Sequence, residues 1–185
     1  MKYKGDKATA RFIHEAGQLK KRPRSGWLTI GIKSPESIAD HCWRAAAIGY
    51  LLARMEGADA ARVVELCIFH DMHEARTGDL DTVAKKYSKT NPAAALRDQA
   101  RGVHFGKEII ALAGEFSAQK TKEAKIAKDA DLLEMIAQAR DYIDSGNAYA
   151  KEWIPEARKS LRTRSARRLA AAIARTSSNE FWLSL

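Results

Sequence analysis

Apolar residues recur every three or four positions along most of the chain, and the two-residue alternation of half-buried strands is scarce. Abundant alanine and leucine with only four prolines agree with helices almost throughout. The pattern predicts a first helix from about Ala8 to Lys20, then an extended loop over Arg22–Ser34 that holds Pro23, Gly26 and Gly31. Ser34-Pro35-Glu36 reads as a helix start: serine caps, proline suits the first turn, and a carboxylate suits the positive end of the dipole. That helix carries Ile38, Ala45, Ile48 and Leu52 and ends before Gly57. A third helix begins after Asp59, runs through Val63, Val64, Leu66, Cys67 and Ile68 to about Arg76, and stops at Gly78. Asp79–Lys89 reads as a loop or short helix, and Ala93 to about Gly114 as a helix. Thr121 caps a long helix to about Ser145, where Gly146-Asn147 ends it. A last helix over Pro155–Arg175 precedes the tail Phe181-Trp182-Leu183. The expected fold is a compact all-α bundle with irregular helix crossings.

One polar group interrupts the apolar runs: His70-Asp71, with Glu74 beyond it, in Leu66-Cys67-Ile68-Phe69-His70-Asp71-Met72-His73-Glu74. On a continuous helix His70 and Glu74 share a face, with Asp71 beside them. The run Val63–Phe69 argues that this helix is buried just before the pair. His41 sits among Ile38, Ala45 and Ile48. Steps of four from Asp131 reach Ala127 and Met135, whereas steps from Asp129 reach Lys125 and Leu133, so Asp131 is the aspartate expected to face inward. A buried carboxylate is costly without a cation or strong hydrogen bonds. Each residue alone has an ordinary structural explanation. Together, His41, His70, Asp71 and Asp131 offer nitrogen and oxygen donors suited to one divalent cation that activates water.

Composition adds limits. A chain of 185 residues, 45% apolar, fits one domain spanning 1–185, with a metal-site core at about 35–145 and a C-terminal helix and tail at 155–185. The net charge of +9 favours anionic partners. Its dense runs are Lys20–Arg24 and Arg158–Arg168. The second run could meet nucleic acid, but no aromatic residues interleave it and no binding motif accompanies it, so this reading ranks below the enzymatic one. The cysteines Cys42 and Cys67 form no CxxC pair and read as buried thiols of a reducing compartment. No apolar run reaches membrane-spanning length, and Met1–Asp6 lacks a signal core, so a cytoplasmic protein with no membrane partner is expected.

Four stretches carry a likeness over nearly the whole chain: Pro23-Arg24-Ser25-Gly26-Trp27; Pro35-Glu36-Ser37-Ile38-Ala39-Asp40-His41; His70-Asp71-Met72-His73-Glu74 on to Thr77-Gly78-Asp79; and Lys128-Asp129-Ala130-Asp131-Leu132-Leu133-Glu134-Met135. In these the chain resembles the HD-domain metal-dependent phosphohydrolases, in the branch with bacterial 5′-deoxynucleotidases and the eukaryotic HD-domain-containing protein 2. The resemblance implies an all-α HD bundle that removes the 5′-phosphate from deoxynucleoside monophosphates. It implies His41, His70, Asp71 and Asp131 as ligands of one divalent transition metal, with manganese, cobalt, iron, zinc and nickel all admissible. It also implies Asp71 and Glu74 as the catalytic carboxylates, with Trp27 and Asp79 near the nucleoside. Physical reasoning lets Glu74 orient or deprotonate a water and lets Arg24, Lys85 or Lys86 grip the phosphate, Arg24 first. Trp27 packs either on the sugar or base or as a plug onto the core. Arg24 and Trp27 lie three apart, where bacterial members have adjacent residues. His104 could serve a second metal or simply pack between Val103 and Phe105, and His73 stands next to the site. The branch is commonly dimeric, and the apolar tail could form such a contact or fold back on the bundle. The alternative activity is hydrolysis of another phosphoester, a ribonucleotide or cyclic nucleotide.

Overall fold

Five helices begin on a side chain that accepts a hydrogen bond from a backbone N–H three residues on: Ser37, Asp59, Asn91, Thr121 and Thr163. In the computed structural model, which describes residues 5–185, the α-helices are α1 (Asp6–Ala16), α2 (Ile38–Glu56), α3 (Ala60–Phe69), α4 (Glu74–Thr77), α5 (Ala84–Tyr87), α6 (Pro92–Gln99), α7 (Gly106–Ala118), α8 (Lys122–Asp144), α9 (Ile154–Ser160), α10 (Arg164–Ile173) and α11 (Glu180–Leu183). Short 3-10 helices cover Gly17–Lys21, Ser25–Ile30 and Ala148–Trp153. The described residues contain no strand, only an isolated bridge between Pro23 and Ser37. The fold is all-α, and no described helix is long and apolar enough to cross a membrane.

The predicted helices are present but more broken than their periodicity suggests. The second starts at Ile38 rather than Ser34, because Ser37 and Asp40 cap each other's backbone in a capping box and the segment before them pairs with the 22–24 loop. The loop expected over Arg22–Ser34 contains the Ser25–Ile30 turn. The third helix ends at Phe69: His70 Nδ1–H donates to the Cys67 carbonyl (2.8 Å), and the N–H groups of Met72 and Glu74 close tight bonds onto the Phe69 and Asp71 carbonyls. The helix predicted over Ala93–Gly114 parts between α6 and α7, where Gly102 and Phe105 adopt positive φ. The last predicted helix splits at Leu161–Thr163, because Asp129 accepts hydrogen bonds from the backbone N–H groups of Arg162 (2.9 Å) and Thr163 (2.7 Å). Asp129 is fully buried, which corrects the expectation that only Asp131 of this pair faces inward.

The core lies where α2, α3 and α8 pack together, with α7, α9 and α10 around them. Leu52, Val63, Leu66, Ile126, Leu133 and Ile136 are fully enclosed there, each contributing about 1.5–3 kcal/mol by leaving water. Gly49 lets α2 approach α3: a Cβ at that position would stand 2.9 Å from Val63 Cγ1 and 3.0 Å from Cys67 Sγ. A second cluster (Phe12, Leu19, Ile38, Met72, Leu96) seats α1 and α6 against the start of α2. A third joins Trp27, Ala139 and Ala150 with Tyr142 and Trp153. Both cysteines are buried and unbridged.

Candidate metal centre

Three core helices deliver the expected donors to one place. His41 comes from the first turn of α2, His70 and Asp71 from the turn after α3, and Asp131 from the middle of α8. His41 Nε2 lies 3.4 Å from His70 Nε2, 3.2 Å from Asp131 Oδ1 and 3.9 Å from Asp71 Oδ2. His70 Nε2 is 3.0 Å from Asp71 Oδ2. Donor atoms of His41, His70 and Asp71 all fall within 4.8 Å of one another. His41 is fully buried, and His70 and Asp131 nearly so.

The opposite edge of each imidazole is held by the protein. His41 Nδ1 contacts Glu134 Oε2, and His70 Nδ1 faces the Cys67 carbonyl. Such partners keep the proton on Nδ1 and leave the Nε2 lone pair available, as metal-binding histidines require. Two lone pairs then face each other between two carboxylates, an arrangement that needs a proton or a cation. Burial opposes protonation of His41, yet the bonds to Asp131 and Glu134 push its pKa up to about 10. Burial raises the Asp71 and Asp131 carboxyls, but His70 beside Asp71 and Lys128 beside Asp131 hold both well below the usual range. The donor chemistry therefore fits a divalent transition metal.

Glu134 is itself secured by Arg44, whose Nε donates to Oε1 at 2.9 Å and whose Nη1 reaches Asp141 at 2.7 Å. Lys128 Nζ sits 2.6 Å from Asp131 Oδ2. The Pro23–Ser37 bridge, the Arg24 N–H to Glu36 carbonyl bond (3.0 Å) and the Ile38 N–H to Arg22 carbonyl bond (2.9 Å) fasten the 22–24 segment to the head of α2. This places Arg24 Nη1 3.8 Å from Asp71 Oδ2. Glu74 opens α4 with its Oε2 buried and without a hydrogen-bond partner, and burial beside Asp71 and Asp79 pushes its carboxyl up to about 8.

Next to Arg24 opens a cavity of about 180 Å³, lined also by Gly26, Trp27, Asp79, Lys85, Met135 and Trp153. Asp79 Oδ2 accepts from the Ser25 N–H (2.8 Å) and Oγ (3.3 Å). Lys86 is exposed and does not line this cavity. Trp27 is only 3% exposed and acts as a plug: its Nε1 donates to Glu36, and its ring packs on Tyr142 and Trp153. A larger, more apolar cavity of about 430 Å³ lies between α6 and α7, with His70, His73, Arg97 and Ser117 in its wall. His104 pairs with Asp6 (3.0 Å) and takes no part in the donor cluster.

A family model described as HD domain matches residues 16–173. The chain belongs to the HD-domain family. This HD domain is 34% identical over 142 residues to 5′-deoxynucleotidase HDDC2 of Mus musculus, covering 74% of this chain and 71% of that protein. It is 33% identical over 140 residues to 5′-deoxynucleotidase hdd1 of Schizosaccharomyces pombe, covering 71% and 70%. A conserved hypothetical protein from Pyrococcus furiosus superposes with a TM-score of 0.77 at 34% identity, over 89% of this chain and 98% of that one. The cyanophage S-2L HD phosphohydrolase DatZ, solved with dA and one catalytic Zn2+ ion, has a TM-score of 0.59 at 20% identity over 88% and 96%, a likeness that speaks for the fold.

Periodicity did not single out Glu134, Arg44, Lys128 or Trp153 of this HD domain. Glu134 had the clearest signal, since it follows Asp131 by three residues and so shares its side of α8. Arg44 and Trp153 depend on contacts between distant segments, which no local pattern encodes.

Proposed function

We propose that this HD domain is a metal-dependent phosphohydrolase that removes the 5′-phosphate from deoxynucleoside monophosphates. The observation that carries this reading is the convergence of four donors, His41, His70, Asp71 and Asp131, beside an arginine that opens onto a cavity. The names of its relatives, 5′-deoxynucleotidases at about a third identity over most of both chains, support the substrate class.

A bound divalent transition metal would supply Lewis acidity and a lowered water pKa. The residues do the rest. His41, His70, Asp71 and Asp131 would hold the ion, and Glu134 and the Cys67 carbonyl orient the two rings. Arg24 binds phosphate oxygens through charge-assisted hydrogen bonds, with Lys85 as a second cation at the cavity wall. Glu74 holds the attacking water through its unpartnered Oε2 and, in its ionised form, takes its proton. Asp79, steadied by Ser25, accepts from the sugar 3′-hydroxyl. We place the enzyme in the cytoplasm as a homodimer. Two unbridged cysteines support the first, and the exposed apolar residues Trp43, Tyr50, Leu51 and Met55 of α2 with Phe181, Trp182 and Leu183 of the tail support the second.

The test is phosphate release from matched 2′-deoxy and ribo 5′-monophosphates across a panel of divalent metals, with metal analysis of the purified protein. Faster release from the deoxy member of each pair is expected. Equal rates on both sugars, or no phosphate from any monophosphate, overturn the reading in favour of another phosphoester.

A further inference from the structure

Trp27 reaches the cavity wall but is only 3% exposed, with Tyr142 at 5.1 Å and Trp153 at 5.3 Å between ring centroids. The more exposed aromatic side chain of that wall is Trp153, which is only half-buried. It closes the 3-10 turn Ala148–Trp153, and Asn147 ties that turn to the Ser25–Ile30 turn by donating from Nδ2 to the Ile30 carbonyl at 2.9 Å. Gly26 gives the indole its place: a Cβ there would stand 3.1 Å from Trp153 Cη2. The cavity therefore has two kinds of wall. Arg24, Asp79 and Lys85 are polar and suit phosphate and sugar, while Trp153 and Met135 are apolar.

We propose that Trp153 is the base-recognition residue of this site: its indole stacks on the nucleobase of the bound nucleotide, and Gly26 keeps the ring in that position. A π face attracts any base, so the contact would fix affinity for nucleotides over base-free phosphoesters rather than choose among bases. The proposal rests on the nucleotidase reading above and adds to it the group that holds the base.

The test compares Trp153→Phe, Trp153→Leu and Trp153→Ala, reading kcat and KM for a deoxynucleoside 5′-monophosphate and the inhibition constant of inorganic phosphate, which has no base. Stacking on one base is worth about a tenfold change or more in affinity. The leucine and alanine variants should raise KM about tenfold with kcat within about twofold, while phosphate inhibits each variant as it does the parent. Phenylalanine should restore most of the KM. Leucine fills the same apolar volume without a π face, so the phenylalanine–leucine contrast survives if alanine fails to fold. Equal KM for phenylalanine and leucine, or weakening of phosphate inhibition in parallel with KM, makes Trp153 a structural prop and overturns the proposal. Ser117→Trp, in the wall of the larger cavity, should leave KM unchanged. A rise there, with none at Trp153, would put the base in that cavity instead. If the parent protein releases no phosphate from any nucleotide, it is the nucleotidase reading that fails.

Discussion

Glu134 grips the Nδ1 edge of His41, and Arg44 in turn grips Glu134. The ring is thereby oriented by a residue that lines neither cavity beside the cluster. Glu134→Gln should keep the fold and weaken metal affinity about 10- to 100-fold. Competition against a calibrated chelator measures this, and an unchanged affinity would show that the ring is oriented by other contacts.

His70→Ala and Asp131→Ala each remove a donor from the cluster and should abolish both bound metal and turnover. Glu74→Gln should keep metal and lose turnover, because its unpartnered oxygen lies outside the donor set. Metal content and phosphate release measured on the same preparations separate these roles. Turnover of Glu74→Gln at the parental rate would remove Glu74 as the base.

Arg24→Ala should raise KM by about tenfold or more, the loss expected for a hydrogen bond to a charged group. Arg24→Lys should recover little, since an ammonium cannot reproduce a two-pronged guanidinium contact. Because Arg24 also lies near Asp71, metal content is measured alongside. A KM unchanged in both variants would assign phosphate binding to Lys85.

Asp129→Ala should destabilise the protein by about 2–4 kcal/mol. The substitution leaves the Arg162 and Thr163 N–H groups without their acceptor at the joint between α9 and α10. Urea unfolding gives the number, and a loss below about 0.5 kcal/mol would mean that water replaces the carboxylate.

Asp144 anchors the C-terminal segment. The Ser178 N–H, Arg140 and the Ser177 and Ser178 hydroxyls bond its carboxylate and lower its pKa to about 2. A carboxyl lowered on folding contributes stability above its ordinary pKa, near 4, and that contribution fades as pH falls through about 2. Stability should therefore drop more steeply with acidity below pH 4 in the parent than in Asp144→Asn. Identical pH profiles from paired thermal melts would contradict the anchor.

The helical fold and the residues His41, His70, Asp71 and Asp131, which that fold brings together, were legible in the sequence, because apolar periodicity marks the helices and polar residues inside it stand out. The interruptions were not. A carboxylate from α8 breaks the C-terminal helix at Leu161–Thr163, and no signal near those residues reports a partner more than thirty positions away. The same applies to Asp129, whose neighbours at steps of four, Lys125 and Leu133, hid a fully enclosed side chain. Trp27 illustrates a third kind of limit. Its type fits both a stacking platform and a core plug, and its near-complete enclosure beside Tyr142 and Trp153, at the wall of the cavity, is set by distant segments.

The two imidazoles belong to opposite jaws of one clamp: His41 is carried by α2, and His70 stands at the end of α3. The gap between those jaws is set two turns further along, where Gly49 meets Val63 and Cys67 with no room for a methyl group. Alanine at that position would pry the jaws apart and lengthen the span between the two Nε2 atoms while leaving every ligand in the sequence. The ionic radius that the proposed metal site would accept is thus governed partly by a residue with no side chain.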